Sequence, residues 1–319
     1  MTNFLITGGS GFIGTHLIRA LIKKGESLVS IDRRPPIEQS HKTLWVQCDI
    51  KNKTELLKIV RKTMPTNVIH LAAMANLNGR SIDDFPDNTL GTTNVIECIN
   101  ATDSVRHLIH TSTQYVVRPG IYPETDDYLK PYTAYGESKA ASEIAVRQNC
   151  RKKWTIIRPT NIWGPLHPFF PRELWRYLAK RYYLHPGFKP IRKYYGYVGN
   201  AIEQILALVT QGDIVVSKVF YITDEPIDSY DWMNTFSLAL SKKSAQRIPS
   251  NLWRLMAVAG DVLKRTGLKS PVDSERYFRL TVNETVPHEK TLNLVGPPKY
   301  SLADGVRQSV DWYEKQYIL

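Results

Sequence analysis

The stretch Phe4-Leu5-Ile6-Thr7-Gly8-Gly9-Ser10-Gly11-Phe12-Ile13-Gly14 decides the fold of this chain. Its apolar start predicts a buried strand, and the leucines and isoleucines that follow at 17, 18, 21 and 22 predict a helix. The glycines between them allow a tight turn, a close approach of a pyrophosphate and close packing of the helix on the strand. The free N–H groups of the first helical turn then favour an anion. We therefore predict a dinucleotide-binding βαβ unit.

An acidic residue lies where such a unit needs one. Residues 27–31 predict a second strand, and Asp32 ends it about 20 residues after the glycines, placed to accept a hydrogen bond from an adenosine ribose. Its charge would repel the 2′-phosphate of NADP, whereas Arg33 and Arg34 directly after it could pair with that phosphate. We expect NAD as the cofactor, with NADP as the less favoured alternative.

Composition limits the class of protein. The 319 residues suit one large α/β domain or two unequal ones. We expect neither a membrane span nor a signal peptide, because no apolar run reaches roughly 20 residues and the N-terminus has no basic region. The widely spaced Cys48, Cys98 and Cys150 suggest reduced thiols in the cytoplasm and no metal site. The net charge of +12 comes without a groove-reading motif, so we expect no nucleic-acid partner.

Strands and helices alternate through the first half of the chain, which predicts an α/β fold with a parallel, doubly wound sheet of the Rossmann type. From about residue 160 the alternation weakens, and proline, glycine and aromatic residues crowd positions 163–197. We predict a dinucleotide-binding domain over residues 1–160, completed by sheet elements from later in the chain. Residues 161–319 would mostly form a smaller, interleaved substrate-binding cap.

One later segment, residues 252–265, predicts an apolar helix with basic residues near both ends. Packing of this helix on the core of the cap is the simpler interpretation. The alternative is a helix that lies on a membrane surface, which the positive charge of the chain favours.

Tyr135 and Lys139 form the one Tyr-x-x-x-Lys pattern in the chain. On a helix these two side chains share a face, and the lysine ammonium, helped by a positively charged nicotinamide, lowers the pKa of the phenol. Tyr135 could then remove a proton from a substrate hydroxyl. Upstream, Thr111-Ser112-Thr113 ends a predicted strand, where ligands gather in open parallel sheets, and the Thr113 hydroxyl could relay that proton. We predict Thr113, Tyr135 and Lys139 as the catalytic residues.

Taken in order, these motifs resemble the extended short-chain dehydrogenase/reductase family, which includes the NAD-dependent nucleotide-sugar epimerases and dehydratases. Further motifs carry the resemblance: Asp49-Ile50, His70-Leu71-Ala72-Ala73, Asn88 to Asn94, and Arg158-Pro159-Thr160-Asn161-Ile162-Trp163-Gly164-Pro165. The resemblance implies that Asp49 and Ile50 flank the adenine and that residues 71–73 line the cofactor channel. The cofactor-binding residues that it implies are Gly8, Gly11, Phe12, Ile13, Gly14, Asp32, Arg33, Asp49, Ile50, Leu71, Ala72, Ala73, Thr111, Tyr135, Lys139 and Pro159.

The same resemblance implies a nucleotide-diphosphate sugar as the substrate. It places Thr113 and Asn161 beside the sugar and Arg192 on the diphosphate, a role that suits a guanidinium group. A solvated loop arginine is the alternative for Arg192. By analogy with the family we also expect a homodimer, formed through the helices after Asn88 and Ala134.

The chain departs from the family at two places. Dehydratases of the family carry Thr-Asp-Glu where this chain has Thr113-Gln114-Tyr115, so the acids that eliminate water are missing. Near the C-terminus, a segment that contains His288 replaces the family's Arg-x-Gly-Asp, and His288 is as well explained by a loop histidine as by a ligand contact. We expect chemistry that needs only a hydride and one proton, as in a nucleotide-sugar C4 epimerase. The alternatives are a keto-sugar reductase or dehydrogenase, then a steroid-type dehydrogenase or a non-catalytic dinucleotide sensor.

Overall fold

Seven parallel strands form the central sheet of the computed structural model, which describes residues 3–75, 77, 79–268, 270 and 272–317. Together with those outside the central sheet, the strands of the described residues are, in chain order, β1 (Phe4–Thr7), β2 (Leu28–Asp32), β3 (Trp45–Gln47), β4 (Asn67–His70), β5 (His107–Thr111), β6 (Lys153–Pro159), β7 (Asn161–Trp163), β8 (Leu184–Pro186), β9 (Arg192–Lys193), β10 (Tyr195–Tyr197), β11 (Lys218–Ile222), β12 (Ile227–Asp228) and β13 (Gln246–Ile248). The α-helices are α1 (Phe12–Lys23), α2 (Lys53–Thr63), α3 (Leu90–Asn100), α4 (Ala134–Asn149), α5 (Arg176–Ala179), α6 (Val198–Thr210), α7 (Ser229–Ser241), α8 (Ser250–Arg265), α9 (Ser274–Thr281), α10 (Glu289–Val295) and α11 (Leu302–Tyr317).

The order of the strands in the central sheet is β11-β6-β5-β4-β1-β2-β3, and all neighbouring pairs are parallel. The chain therefore starts in the middle, winds to one edge through β2 and β3, and then crosses back to build the other half. This is the doubly wound Rossmann-type sheet that the alternation of strands and helices predicts, and that prediction is confirmed. Strand β11 at the far edge comes from the second half of the chain and pairs with β6.

Apolar layers cover both faces of this sheet because side chains alternate along each strand. In β1, Phe4 and Ile6 belong to one cluster, whereas Leu5 belongs to the other. Helices α1 and α6 pack on the first face, and α2, α3 and α4 pack on the second. Both faces are thus buried, so the carboxyl edge of the sheet is the place where polar side chains can meet a ligand.

The second half of the chain adds three two-stranded sheets, in which β7 pairs with β10, β8 with β13 and β9 with β12. An aromatic cluster joins this part to the central sheet: Trp163, Trp175 and Trp232 are fully buried, and the rings of Tyr195 and Trp232 stack with centroids 4.3 Å apart. Many of the aromatic residues that crowd positions 163–197 thus contribute to core packing, whereas Phe169, Tyr177, Tyr182 and Phe188 are exposed. No helix within the described ranges has the length and apolar character needed to cross a membrane.

Candidate active site

The glycine turn between β1 and α1 forms the floor of the site. Gly8 has a positive φ of 76°, and a β-carbon there would lie 2.6 Å from the backbone nitrogen of Ala72. The turn can therefore pass this close to the end of β4 only with glycine at position 8. Gly11 precedes α1 and offers no side chain to cap it, so the first N–H groups of the helix, at Phe12 and Ile13, face whatever binds there.

Asp32 ends β2 beside this turn, as the sequence predicts. Its carboxylate accepts hydrogen bonds from the backbone N–H groups of Ser10 at 3.2 Å and Arg34 at 3.0 Å, which hold it at the mouth of a cavity. The side chain of Arg33 pairs with Asp87 at 3.2 Å. The cavity brings together Gly8, Gly11, Ile31, Asp32, Arg33, Arg34, Cys48, Asp49, Ile50, Leu71, Ala72, Ala73 and Asp87.

Two residues in and beside this cavity were not predicted from the sequence as site residues. Asp87 lines the cavity, and Lys51 forms ion pairs with both Asp87 and Asp49. The position of Asp87 directly before the motif at 88–94 is the one sequence signal that pointed to it. His70, by contrast, is structural: it is buried between the hydroxyls of Thr7 and Thr92, and burial lowers its pKa to about 3.

Tyr135 and Thr113 come together where α4 begins. The Thr133 side chain caps α4 by accepting a hydrogen bond from the Gly136 N–H at 3.0 Å. A β-carbon at Gly136 would lie 2.4 Å from the carbonyl oxygen of Tyr115, so the helix packs directly on the turn that follows Thr113. The side chains of Tyr135 and Thr113 lie close enough to interact.

Lys139 lies one helical turn after Tyr135 and is 1% exposed. Burial lowers its pKa to about 8, and the carboxylate of Glu143 opposes this shift. Burial raises the pKa of Tyr135 to about 12, and the neighbouring Thr113 side chain opposes this rise. The sequence predicts that Lys139 lowers the pKa of Tyr135, whereas the pKa of Tyr135 in the protein alone is raised. The reason is that the cost of burying a phenolate exceeds the effect of a neighbouring cation.

Unpartnered hydroxyl groups mark the carboxyl ends of the strands. Thr111 ends β5, and the side-chain oxygens of Thr111 and Ser112 are buried without a hydrogen-bond partner among the described residues. Pro159 likewise ends β6 at the same edge. Because buried polar groups are almost always hydrogen-bonded, the two free hydroxyls indicate that a ligand completes this edge.

A second cavity of about 350 Å³ opens beyond the Thr113 turn. Much of its wall is aromatic, with contributions from Tyr115, Tyr132, Phe170, Tyr195 and Trp232. Its charged lining residues are Arg118, Glu173, Lys193, Arg276, Arg279 and Glu284. An occupant of this cavity would therefore meet both apolar rings and guanidinium groups.

Asn161 lines this cavity, where the sequence resemblance places it. Its amide donates to the backbone carbonyl of Tyr194 at 3.1 Å and lies 3.5 Å from a carboxylate oxygen of Glu284. Glu284 in turn forms a buried ion pair with Lys193, with 2.9 Å between Nζ and Oε1. Neither member of this pair stands out in the sequence, because 91 residues separate them.

The structure does not bring Arg192 into the 350 Å³ cavity. Arg192 and Lys193 form the two-residue strand β9, so their side chains point to opposite faces. Lys193 faces the cavity, whereas Arg192 is exposed in a separate groove beside Asp228 and Asn283. The arginines that do line the cavity are Arg118, Arg276 and Arg279, and the positive charge of Arg279 opposes the rise in the pKa of Tyr115 that burial causes.

His288 is buried outside both cavities and is held by Glu225, whose Oε2 lies 3.1 Å from its Nε2. The three cysteines are free thiols. Among the described residues, no group of three or more His, Cys, Asp or Glu side chains could hold a metal ion.

The doubly wound sheet, the glycine turn and the Tyr135–Lys139 helix define a dinucleotide-dependent enzyme of the extended short-chain dehydrogenase/reductase class. The family model described as "NAD dependent epimerase/dehydratase family" matches residues 4–220, and the chain belongs to this family. The resemblance drawn from the sequence motifs is confirmed, as is the expectation of an NAD-dependent enzyme of this type.

Relatives of the chain include steroid dehydrogenases and several kinds of nucleotide-sugar enzyme, among them a dTDP-4-dehydrorhamnose reductase of Aggregatibacter actinomycetemcomitans, which is 25% identical over 78% of this chain and 83% of that protein. The chain is 28% identical over 260 residues to a 3-beta-hydroxysteroid dehydrogenase of Mycolicibacterium neoaurum, a match that covers 75% of this chain and 70% of that protein. It is 26% identical over 266 residues to the UDP-glucose 4-epimerase of Vibrio cholerae, covering 79% of each. The crystal structure of UDP-glucuronic acid 4-epimerase from Bacillus cereus, in complex with UDP-glucuronic acid and NAD, has the same fold. Its TM-score is 0.74 at 21% identity, over 99% of this chain and 100% of that one.

Proposed function

We propose that this protein is an NAD-dependent C4 epimerase of a nucleotide-diphosphate sugar, with Tyr135 as the base. The meeting of Tyr135 and Thr113 where α4 packs on the Thr113 turn, beside the buried Lys139, carries the proposal. Gln114 and Tyr115 follow Thr113, so the acids of a dehydratase are missing there, which favours a reaction without loss of water. The 4-epimerases among the relatives support the same substrate class.

The residues at the carboxyl edge of the sheet fit a dinucleotide. The glycine turn would hold the pyrophosphate, Asp32 the adenosine ribose, and the free hydroxyls of Thr111 and Ser112 lie at the same edge. Asp49, Ile50 and residues 71–73 would line the remaining channel together with Pro159. We infer NAD rather than NADP because Asp32 lies at the ribose position and Arg33, the residue best placed to bind a 2′-phosphate, is paired with Asp87. When bound, this cofactor supplies the acceptor and donor of the hydride.

The chain's own residues handle the proton. Tyr135, as the phenolate, takes the proton of the C4 hydroxyl while Thr113 holds the same oxygen by a hydrogen bond. With a pKa of about 12, Tyr135 needs positive charge nearby before it can do so near neutral pH, and protonated Lys139 supplies one such charge. The keto-sugar then turns between Tyr135 and the adjoining 350 Å³ cavity, whose lining includes Gln114 directly after Thr113. It presents its other face, and Tyr135 returns the proton.

The substrate's nucleotide and diphosphate would lie in the same cavity. Asn161 would contact the sugar, and Arg118, Arg276 and Arg279 supply guanidinium groups that suit phosphate. Arg192 would have to reach the ligand from its separate groove, so it remains a candidate for the outer end of the nucleotide only.

The proposal extends to organisation and location. We infer a dinucleotide-binding domain over residues 1–160 and an interleaved substrate cap over residues 161–319. We also infer a cytoplasmic homodimer: α3 and α4 pack together and expose Leu90 and Ile144, which suits a four-helix contact, and the free thiols suit a reducing compartment.

The decisive experiment supplies the purified protein with NAD and a panel of UDP- and dTDP-sugars and follows each sugar by proton NMR. We expect interconversion of one C4-epimer pair without net NADH formation. Tyr135→Phe should abolish turnover and leave NAD binding intact, whereas Tyr182→Phe, at a largely exposed tyrosine, should behave as wild type. Turnover by Tyr135→Phe at the wild-type rate would refute the mechanism.

A second candidate is a steroid-type dehydrogenase. The aromatic wall of the cavity suits an apolar alcohol, and the 3-beta-hydroxysteroid dehydrogenases among the relatives support it. The same Tyr135 and Thr113 would then act on a ring hydroxyl. Stoichiometric NADH formation from a 3β-hydroxysteroid, with no change in any nucleotide sugar, would favour this candidate. Net consumption of NADH or NADPH with a keto-sugar would favour a reductase, and binding without any turnover would favour a sensor.

A further inference from the structure

Helix α8 packs on the protein through one tryptophan and two of its smallest residues. Its buried residues are Trp253, Ala257 and Gly260, and a β-carbon at Gly260 would lie 1.8 Å from the carbonyl oxygen of Val272. Apart from Trp253, this inner stripe can hold no large side chain. The larger aliphatic residues of α8 therefore lie elsewhere on the helix.

These aliphatic residues lie on the opposite side of α8 and are exposed. Leu255 and Val262, two turns apart, are 66% and 54% exposed. Together with their neighbours they form what we call the outer face of α8, which consists of Leu252, Leu255, Val258, Val262 and Leu263. Helical spacing places these residues side by side, so they form a continuous apolar strip without a charge in it.

Positive charge borders the outer face. Residues 241–270 contain seven lysines and arginines and one acidic residue, Asp261. Arg254 and Arg265 are exposed on α8 itself, whereas the Lys264 ammonium is paired with Asp273 at 2.6 Å. An apolar strip with a basic border is the pattern of a helix that lies in the interface of an anionic membrane.

We propose that the outer face of α8 binds the surface of a bilayer that contains anionic phospholipid. The helix has 16 residues, about 24 Å at about 1.5 Å per residue, which is shorter than a bilayer core of about 30 Å, so it lies along the surface. The alternative occupant, a second copy of the chain, would bring two positively charged borders together, which is electrostatically unfavourable.

The position of α9 links this surface to the 350 Å³ cavity. Helix α9 packs against α8, with ring centroids of Trp253 and Tyr277 5.7 Å apart, and its residues Arg276 and Arg279 line the cavity. A membrane bound to the outer face would therefore lie one helix away from the cavity. Such a position suits an enzyme whose substrate or product is used at the membrane.

The test is sedimentation of the purified protein with lipid vesicles. We expect wild type to bind vesicles of mixed phosphatidylcholine and phosphatidylglycerol and to ignore phosphatidylcholine alone. Leu255→Glu with Val262→Glu should lower the partition coefficient at least about tenfold. Arg254→Gln with Arg265→Gln should lower the partition coefficient by about fivefold per arginine and make vesicle binding less sensitive to salt. Ile214→Glu, at an isoleucine that is 53% exposed outside α8, is the matched control and should bind as wild type.

Each contrary result has a definite meaning. The proposal is overturned if the wild-type protein binds neither kind of vesicle. It is also overturned if the Leu255→Glu, Val262→Glu variant binds vesicles as strongly as the wild type while its circular dichroism spectrum and melting temperature are unchanged. If wild type binds no vesicle and the same variant converts a dimer to a monomer, the outer face belongs to a second copy instead. Vesicle binding does not require turnover, so this result is separate from that of the epimerase assay.

Discussion

The backbones of Gly136 and Tyr115 are in direct contact, so that a β-carbon at Gly136 would lie 2.4 Å from the Tyr115 carbonyl oxygen. Gly136 follows Tyr135, and Tyr115 is two residues beyond Thr113. This contact therefore sets how closely the two hydroxyl groups approach. The glycine is as much a part of the site as the tyrosine, although it carries no functional group.

Gly136→Ala should separate α4 from the Thr113 turn. We expect a loss of about 1–3 kcal/mol in the free energy of unfolding from overpacking, and a fall in kcat of about 10–100-fold from the misplaced hydroxyl. Urea denaturation and the epimerase assay measure the two effects. Glu137→Ala, on the exposed side of the same turn, should change neither, and a wild-type kcat for Gly136→Ala would show that the contact does not position Tyr135.

Turnover should fall as the pH rises through about 8. The pKa of Lys139 is lowered to about 8 by burial, so its ammonium group is present below that pH and lost above it. Because the phenolate of Tyr135 depends on nearby positive charge, loss of this proton raises the pKa of Tyr135 further. A pH profile of kcat checks this. A kcat that keeps rising from pH 8 to pH 10 would contradict the role of Lys139.

Lys139→Met should abolish turnover and stabilise the protein at pH 7. The pKa of Lys139 is about 8 in the folded protein and lies below the usual 10.5, so the unfolded chain holds this proton more tightly. The free energy of unfolding of the wild type therefore rises as the pH increases from about 8 to 10.5. Removing the buried charge should therefore add roughly 1–3 kcal/mol at pH 7 and flatten that rise. Denaturation at several pH values measures it. Lys58→Met, at an exposed lysine of α2, is the control, and a destabilised Lys139→Met would contradict this prediction.

Glu143→Gln should strongly destabilise the fold. Glu143 and Arg158 form a buried, bidentate ion pair with both N–O distances at 2.9 Å, and the variant leaves the guanidinium without its counter-charge. We expect a loss of about 3–5 kcal/mol in the free energy of unfolding. Glu137→Gln, at an exposed glutamate of the same helix, should change it little. Equal midpoints for the two variants in urea would show that the pair is dispensable.

Asp32→Ala should reduce the preference for NAD. The variant removes the carboxylate at the end of β2 that is held by the N–H groups of Ser10 and Arg34. We expect NAD to bind about tenfold more weakly and NADP to bind more tightly, because the repulsion of the 2′-phosphate disappears. Fluorescence titration with both cofactors gives the two dissociation constants. An unchanged ratio would show that Asp32 does not select the cofactor.

The features that sequence could predict are local ones. The glycine turn, Asp32 and the Tyr135–Lys139 pair each depend on neighbours within one strand, turn or helix, so spacing alone identifies them. The parallel, doubly wound sheet also followed from the sequence, because alternating strands and helices allow few arrangements. Strand ends still shifted by one or two residues: residues 27–31 were expected where the structure has β2 at Leu28–Asp32.

The walls of the 350 Å³ cavity could not be predicted in the same way. Lys193 and Glu284 meet across 91 residues, and the arginines of α9 reach the cavity only through the packing of that helix against α8 and β8. In a two-residue strand, no periodicity shows which of Arg192 and Lys193 faces inward. Helix α8 posed a similar problem, because a helix that is apolar on both sides has no pattern that identifies its buried face.

Strand β11 has a consequence for how the chain reaches its final structure during synthesis. It is the one partner of β6 on that side of the sheet, and it is made about 60 residues after β6. Until residues 218–222 leave the ribosome, β6 presents an unpaired, apolar edge to the surrounding solution. Chains that stop before β11 should therefore aggregate through β6, which makes premature termination in this interval more damaging than loss of the last helix.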